Sequence, residues 1–166
     1  MEKQKGFTIY ELLVVIGIMA ILSAIAVPNM FSWRLEAKLR SASNIIRGDL
    51  QLAKRRALKE STIIAVIFTA NGYNIFTDNG AGANSGNWNL DADEVVVKSR
   101  QLPAGITIKL PTSFDSPNNR TRFNGRGLPD PLTLTGSGLT GTVTIKDSRG
   151  TEKQITINRL GRLNDL

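Results

Sequence analysis

From Leu12 to Trp33 the chain runs 22 residues without a charge, and Leu12–Leu22 is dominated by Leu, Val, Ile and Met. As a helix that run is about 33 Å long, enough to cross a hydrocarbon core of about 30 Å. A segment apolar on every side needs lipid or other helices around it. The pattern then changes without stopping. Leu35, Leu39, Ala42, Ile46, Leu50, Ala53 and Ala57 recur at spacings of three and four, one apolar stripe on a helix. Arg34, Lys38, Arg40, Arg47, Lys54, Arg55 and Lys59 take the other faces. An unbroken helix from about Thr8 to Glu60 would span roughly 80 Å. Pro28 removes a backbone hydrogen bond and is expected to kink or locally melt that rod near its middle. Gly48 is a smaller weakness.

Glu11 stands at the head of the apolar run, where a carboxylate in lipid is costly unless it is paired or snorkels to the headgroups. The leader MEKQKG precedes it with two lysines, and Phe7-Thr8-Ile9-Tyr10-Glu11 opens the apolar segment without a spacer. A cleaved secretory peptide is the rival reading: Lys3 and Lys5, an apolar stretch, then Ala24-Ile25-Ala26 as a small-x-small site. Pro28 close behind, and the helical pattern that resumes past the supposed cut, argue against it. Lys3 and Lys5 lie before the span and Arg34, Lys38 and Arg40 after it, so the positive-inside rule alone favours a cytoplasmic C-terminal part.

The chain carries 21 Lys and Arg against 14 Asp and Glu, and neither Cys nor His. That removes disulfide scaffolds, thiol nucleophiles, Cys/His zinc sites, Ser-His-Asp triads and imidazole acid–base chemistry. The compartment stays open, since an oxidising environment permits disulfides without requiring them. Charge is unevenly spread: residues 34–60 hold eight basic and three acidic groups, residues 61–119 three and five, and residues 120–166 eight and four.

Lys5-Gly6-Phe7-Thr8-Ile9-Tyr10-Glu11, followed by Leu-Leu-Val-Val-Ile-Gly, resembles the N-terminal signature of type IV prepilins and type II secretion pseudopilins. The resemblance implies a leader over residues 1–6 that prepilin peptidase removes after Gly6, then methylation of the new N-terminal amine on Phe7. It implies that Glu11 docks the subunit onto a neighbour and that Pro28 marks where the helix melts on assembly. It further implies a single-pass inner-membrane precursor with a transmembrane and assembly helix over 7–33 and a periplasmic C-terminal part, the reverse of the charge rule. Physics supports the docking role, because a buried acid at the head of an apolar helix needs a cation, and a neighbour's N-terminal amine supplies one.

After Glu60 the period changes. Thr62–Phe68 reads as a strand, turning at Ala70-Asn71-Gly72 into Tyr73–Thr77. Asp78–Asp93, rich in Asn, Gly and Asp, reads as a long loop. Further strands are expected at Val95–Arg100, Ile106–Leu110, Arg120–Asn124, Leu132–Leu134, Gly141–Asp147 and Gln154–Asn158, with a turn at Ser148-Arg149-Gly150. The fold class predicted is α+β: a long N-terminal helix, amphipathic over 34–60, packed by its Ala53/Ala57 side on an antiparallel β-sandwich over 61–166. Leu52-Ala53-Lys54-Arg55-Arg56-Ala57, Asp91–Val97, Arg122-Phe123-Asn124-Gly125 and Ile155-Thr-Ile-Asn-Arg-Leu-Gly161-Arg162 resemble, in order, the GspH/FimT family of minor pseudopilins and minor pilins. That resemblance implies a structural subunit and not an enzyme, without a cofactor, whose partners are other pilin subunits and secreted cargo, or DNA.

Two clusters remain as sites. Arg120, Arg122, Arg126, Lys146, Arg149, Lys153, Arg159 and Arg162 are expected in strands and turns that could converge on one basic face for DNA or an acidic partner. DNA-binding members of the family carry Gly-Arg-x-Arg near the C-terminus; here Gly161-Arg162-Leu163-Asn164 lacks the second arginine. A solvated basic surface, or one facing acidic subunits, is the competing reading. Asp78, Asp91, Asp93 and Glu94 offer oxygen ligands suited to calcium but without EF-hand spacing, so solvated turn residues compete there too. Trp88 is expected to anchor that loop by packing.

Overall fold

The computed structural model of the 166-residue chain describes residues 6–80, 86–110, 112, 114, 119–130 and 140–165. One helix, α1 (Ile9–Glu60), begins where Thr8 caps it: Thr8 Oγ1 accepts from the Glu11 N–H at 3.2 Å, the usual Thr arrangement at a helix start. Its residues up to Ala37 and those from Lys38 onward belong to two compact units. In the first, every large apolar side chain from Phe7 to Phe31 that is described is exposed, and the segment is long and apolar enough to cross a membrane. The helical assignment runs through position 28.

In the second unit the stripe is realised. Leu39, Ala42, Ile46, Leu50, Ala53 and Ala57 are all buried, while Lys38, Arg40, Gln51, Arg55 and Lys59 stay exposed. The helix ends in a Schellman turn. Ser61 takes φ 50, and the Thr62 N–H donates to the Ala57 carbonyl at 3.3 Å.

Two four-stranded antiparallel sheets follow. The first contains β1 (Ile64–Thr69), β2 (Gly72–Thr77), β3 (Val96–Gln101) and β5 (Arg120–Phe123), in the order β3-β2-β1-β5. The second contains β4 (Ile106–Ile108), β6 (Thr140–Asp147), β7 (Glu152–Asn158) and β8 (Leu163–Asp165), in the order β4-β6-β7-β8. Strand β6 shows why such a sheet has one wet face: Gly141, Val143, Ile145 and Asp147 are buried, and the residues between them face outward. Val66, Phe68, Ile75 and Phe123 of the first sheet, Ile108, Val143, Ile145, Ile155 and Ile157 of the second, and the helical stripe form one core. The α+β class and its antiparallel sheets are as the sequence predicts. Strand β8 was not expected, and the expected strand at Leu132–Leu134 lies outside the described residues.

A polar clasp seats the helix on the first sheet. Asp49 is buried; its Oδ2 accepts from the Tyr73 hydroxyl at 2.6 Å and from Arg100 Nε at 3.3 Å, and its Oδ1 accepts from Lys98 Nζ at 2.6 Å. Burial works against the charged carboxylate, but these donors outweigh it and hold Asp49 below the usual aspartate value. Burial and the adjacent Asp49 carboxylate push the Tyr73 hydroxyl up, so it remains a donor.

Candidate functional site

Three turns of the second unit share one hydrogen-bond pattern. In Asn124–Leu128, Asp147–Thr151 and Asn158–Arg162, the first residue's Oδ1 accepts from the N–H groups two and four residues on, all at 2.9–3.1 Å. Its carbonyl accepts from a glycine N–H three residues on, at 2.7 Å, 3.0 Å and 2.8 Å respectively, and its N–H donates to the carbonyl four residues on. The glycines, Gly127, Gly150 and Gly161, lie at φ 68, 87 and 67, where a side chain is strained. Each turn carries the signal Asx-x-x-Gly after a strand-forming stretch, a pattern that the sequence also offers at Asn79-Gly80-Ala81-Gly82.

Two of these turns meet. A Cβ on Gly161 would lie 2.9 Å from the Gly127 carbonyl oxygen and 3.0 Å from Lys54 Nζ, and one on Gly127 would lie 2.7 Å from Leu58 Cγ. Lys54 Nζ donates to the Gly161 carbonyl at 2.9 Å, tying the second turn to the last turns of α1. Arg126, Arg159 and Arg162 are therefore carried on adjoining turns at the helix end of the domain, and all three are exposed. Arg149 is not with them. Its turn is at the other end of β7, and its guanidinium closes back on Asp147 at 3.0 Å.

Arg120 and Arg122 do not join that face either. Arg120 donates to the Trp88 carbonyl at 2.7 Å and to Asn89 Oδ1 at 2.8 Å. Arg122 reaches Asp130 at 2.7 Å, Asp78 at 3.4 Å and the Gly86 carbonyl at 3.0 Å, and it stacks 3.7 Å over the Trp88 ring. Both arginines hold the 86–94 segment against β5. Trp88 is thus a packing partner, as expected, with a guanidinium as what it packs on. The basic residues that the sequence suggests could converge divide into a loop-holding pair (Arg120, Arg122), Arg149 with Lys146 beside one hollow, and the trio Arg126, Arg159 and Arg162. Sequence spacing places residues in turns but does not say which carboxylate each cation meets.

The acidic residues are likewise distributed. Asp78 is fully buried beside Arg122, and burial raises its carboxyl above the usual value despite that cation and the nearby Trp88 and Gly86 N–H groups. Glu94 accepts from the Gly80 and Asp91 N–H groups at 3.2 Å and 3.1 Å, and Asp91 accepts from Asn87 at 2.6 Å. Asp93 is exposed. Among the described residues no three carboxylates converge in a way that could hold a metal ion; these oxygens instead fold the loop.

A groove of about 580 Å³ runs between α1 and the edge strand β8, lined by Gln51, Lys54, Arg55, Gly161, Arg162, Leu163 and Asn164. Among the described residues its lining has three cations, two carboxamides and no carboxylate, so it suits an anionic or hydrogen-bonding ligand. Gly6, Phe7 and Glu11, at the start of α1, are all exposed.

An apolar N-terminal helix whose second half packs on two antiparallel sheets is the architecture of the minor pilins and pseudopilins. The model of the type II transport protein GspH matches residues 42–161, and that of the prokaryotic N-terminal methylation motif matches residues 1–27. The chain belongs to the GspH family. Its fold is similar to the type IV minor pilin FimU of Pseudomonas aeruginosa, with a TM-score of 0.56 and 20% identity over 81% of this chain and 90% of that one. It is also similar to the minor pseudopilin EpsH of the Vibrio cholerae type 2 secretion system, with a TM-score of 0.53 and 12% identity over 78% and 96%. Over 39 residues it is 56% identical to the prepilin peptidase-dependent protein D of Escherichia coli, a match spanning 24% of this chain and 27% of that relative. The chain is accordingly a minor pseudopilin or pilin, a structural subunit and not an enzyme.

Proposed function

We propose that the chain is made as an inner-membrane precursor, is cut by prepilin peptidase between Gly6 and Phe7, is methylated on Phe7, and enters a type II pseudopilus or type IV pilus through its N-terminal helix. The observation that carries this is the coincidence of the Gly6-Phe7 junction, Glu11 and an exposed apolar helix within the stretch matched by the methylation motif. Glu11 lies in the first turn of α1; in this reading it receives the amine of a neighbouring Phe7, and the two charges satisfy each other once lipid is left behind. Pro28, lacking an N–H, is where the helix yields when subunits pack. The C-terminal domain faces the periplasm, and its outer surface meets other subunits or secreted cargo.

The N-terminal mass of the chain from cells with and without prepilin peptidase tests this. A chain starting at methylated Phe7 only when the peptidase is present is expected; a chain starting at Val27 would overturn it in favour of a secreted domain. Glu11→Ala is expected to be cut normally and to be missing from sheared filaments.

DNA capture is a second reading, supported by the exposed trio Arg126, Arg159 and Arg162. It has half the arginines first expected for it.

A further inference from the structure

We propose that the groove between α1 and β8 receives an extended acidic segment of a partner protein, which pairs with the free edge of β8 and sets its carboxylates against Arg55 and Arg162. Strand β8 ends the β4-β6-β7-β8 sheet, and β7 covers one of its edges. The Asn158 N–H donates to the Arg162 carbonyl at 3.1 Å, and Thr156 is opposite Asn164. In an antiparallel ladder bonded pairs alternate, so Asn164 is the next bonded residue and the amide and carbonyl of Leu163 point away from β7. Leu163 lines the groove, and among the described residues no backbone partner faces it.

The walls select the ligand. Arg55 and Arg162 are exposed, Lys54 is spent in part on the Gly161 and Leu160 carbonyls, and Gln51 and Asn164 add hydrogen-bonding groups. Among the described residues the groove is lined by cations and carboxamides with no carboxylate, which favours an acidic partner over a basic one. A phosphodiester chain could meet the arginines but carries no backbone donor for the outward Leu163 carbonyl. A peptide strand supplies both a donor and an acceptor at that edge, with alternate side chains turned toward the cations. The observations therefore favour a polypeptide over a nucleic acid. The groove goes beyond filament membership: an unprocessed chain would bind the same segment.

The test is fluorescence anisotropy with the full chain in detergent micelles, using a labelled peptide that alternates glutamate and threonine, its lysine counterpart, and labelled duplex DNA. Saturable binding of the acidic peptide alone is expected, weakened about tenfold or more by Arg55→Ala with Arg162→Ala, the scale of one or two lost charge-assisted contacts. Leu163→Pro, which removes the outward N–H and keeps every charge, is expected to weaken it comparably. Should that variant fail to fold, amide exchange at Leu163 in the native chain decides instead, and slowing by the peptide is expected. Absence of peptide binding, unchanged exchange at Leu163, or DNA binding as tight as the peptide's would each overturn the proposal.

Discussion

Tyr73 on β2 donates its hydroxyl to Asp49 on the helix at 2.6 Å, across 24 residues of chain, and both groups are buried. A buried carboxylate that loses one donor keeps its desolvation cost, so Tyr73→Phe is expected to destabilise the domain by about 1.5–3 kcal/mol. Asp49→Ala should cost more, because it strands the Tyr73 hydroxyl and removes the partner of Lys98 and Arg100 together. Urea unfolding of the full chain in detergent checks the order. A double variant no worse than Asp49→Ala alone would show that Tyr73 acts through the carboxylate.

Acid sensitivity follows from the same group. The folded domain binds the Asp49 proton less tightly than the unfolded chain does, because its pKa is held below 3.8. Its stabilisation is therefore complete above about pH 4 and lost as pH falls through the folded value. Asp147, lowered by the Thr151 N–H and by Arg149 in spite of burial, acts in the same direction. Asp78, raised by burial, acts oppositely: its contribution declines as pH rises past 3.8. Thermal midpoints across the acid range should fall less steeply for Asp49→Asn than for the native chain, and more steeply for Asp78→Asn.

The three Asx turns allow one comparison at constant backbone. Gly150→Ala meets nothing within 4 Å, so only the left-handed conformation opposes it, at about 1–2 kcal/mol. Gly127→Ala and Gly161→Ala meet the same strain and also collide with Leu58 and with the Gly127 carbonyl. Both should lower the unfolding free energy beyond Gly150→Ala. Equal effects at all three would mean that the turns at the helix end do not pack as described.

Arg122 and Arg126 are four residues apart and should differ sharply. Arg122→Ala leaves Asp78 buried without its cation and Trp88 without its stacking partner, a change of about 3–5 kcal/mol. Arg126→Ala removes an exposed side chain and should stay within about 0.5 kcal/mol. Chemical denaturation of the two variants distinguishes a loop-holding arginine from a surface one.

Much of this fold is written in periodicity. The stripe from Leu39 to Ala57 and the alternation in β6 are local patterns, and burial follows them residue by residue. Strand β8 escaped because Leu163-Asn164-Asp165 is too short to alternate and owes its existence to pairing with β7. The adjacency of β1 and β5, more than fifty residues apart in sequence, has no local signature either. The arginines were harder still. Arg122 and Arg126 look alike in sequence, and only the approach of Asp78, Asp130 and Trp88 makes one a structural pin. The Asx-x-x-Gly repeats were legible signals of turns, but the sequence does not say that only those at 124–127 and 158–161 meet at one end.

Because each Asx turn meets its own hydrogen-bonding needs through its first side chain and a glycine, the residues between them carry little of the folding burden. Selection can rewrite positions such as 126 and 159 while leaving the scaffold intact. One end of the domain is thus a surface on which new specificities can be tried with a single substitution, and subunits of the same build can diverge in what they touch long before they diverge in shape.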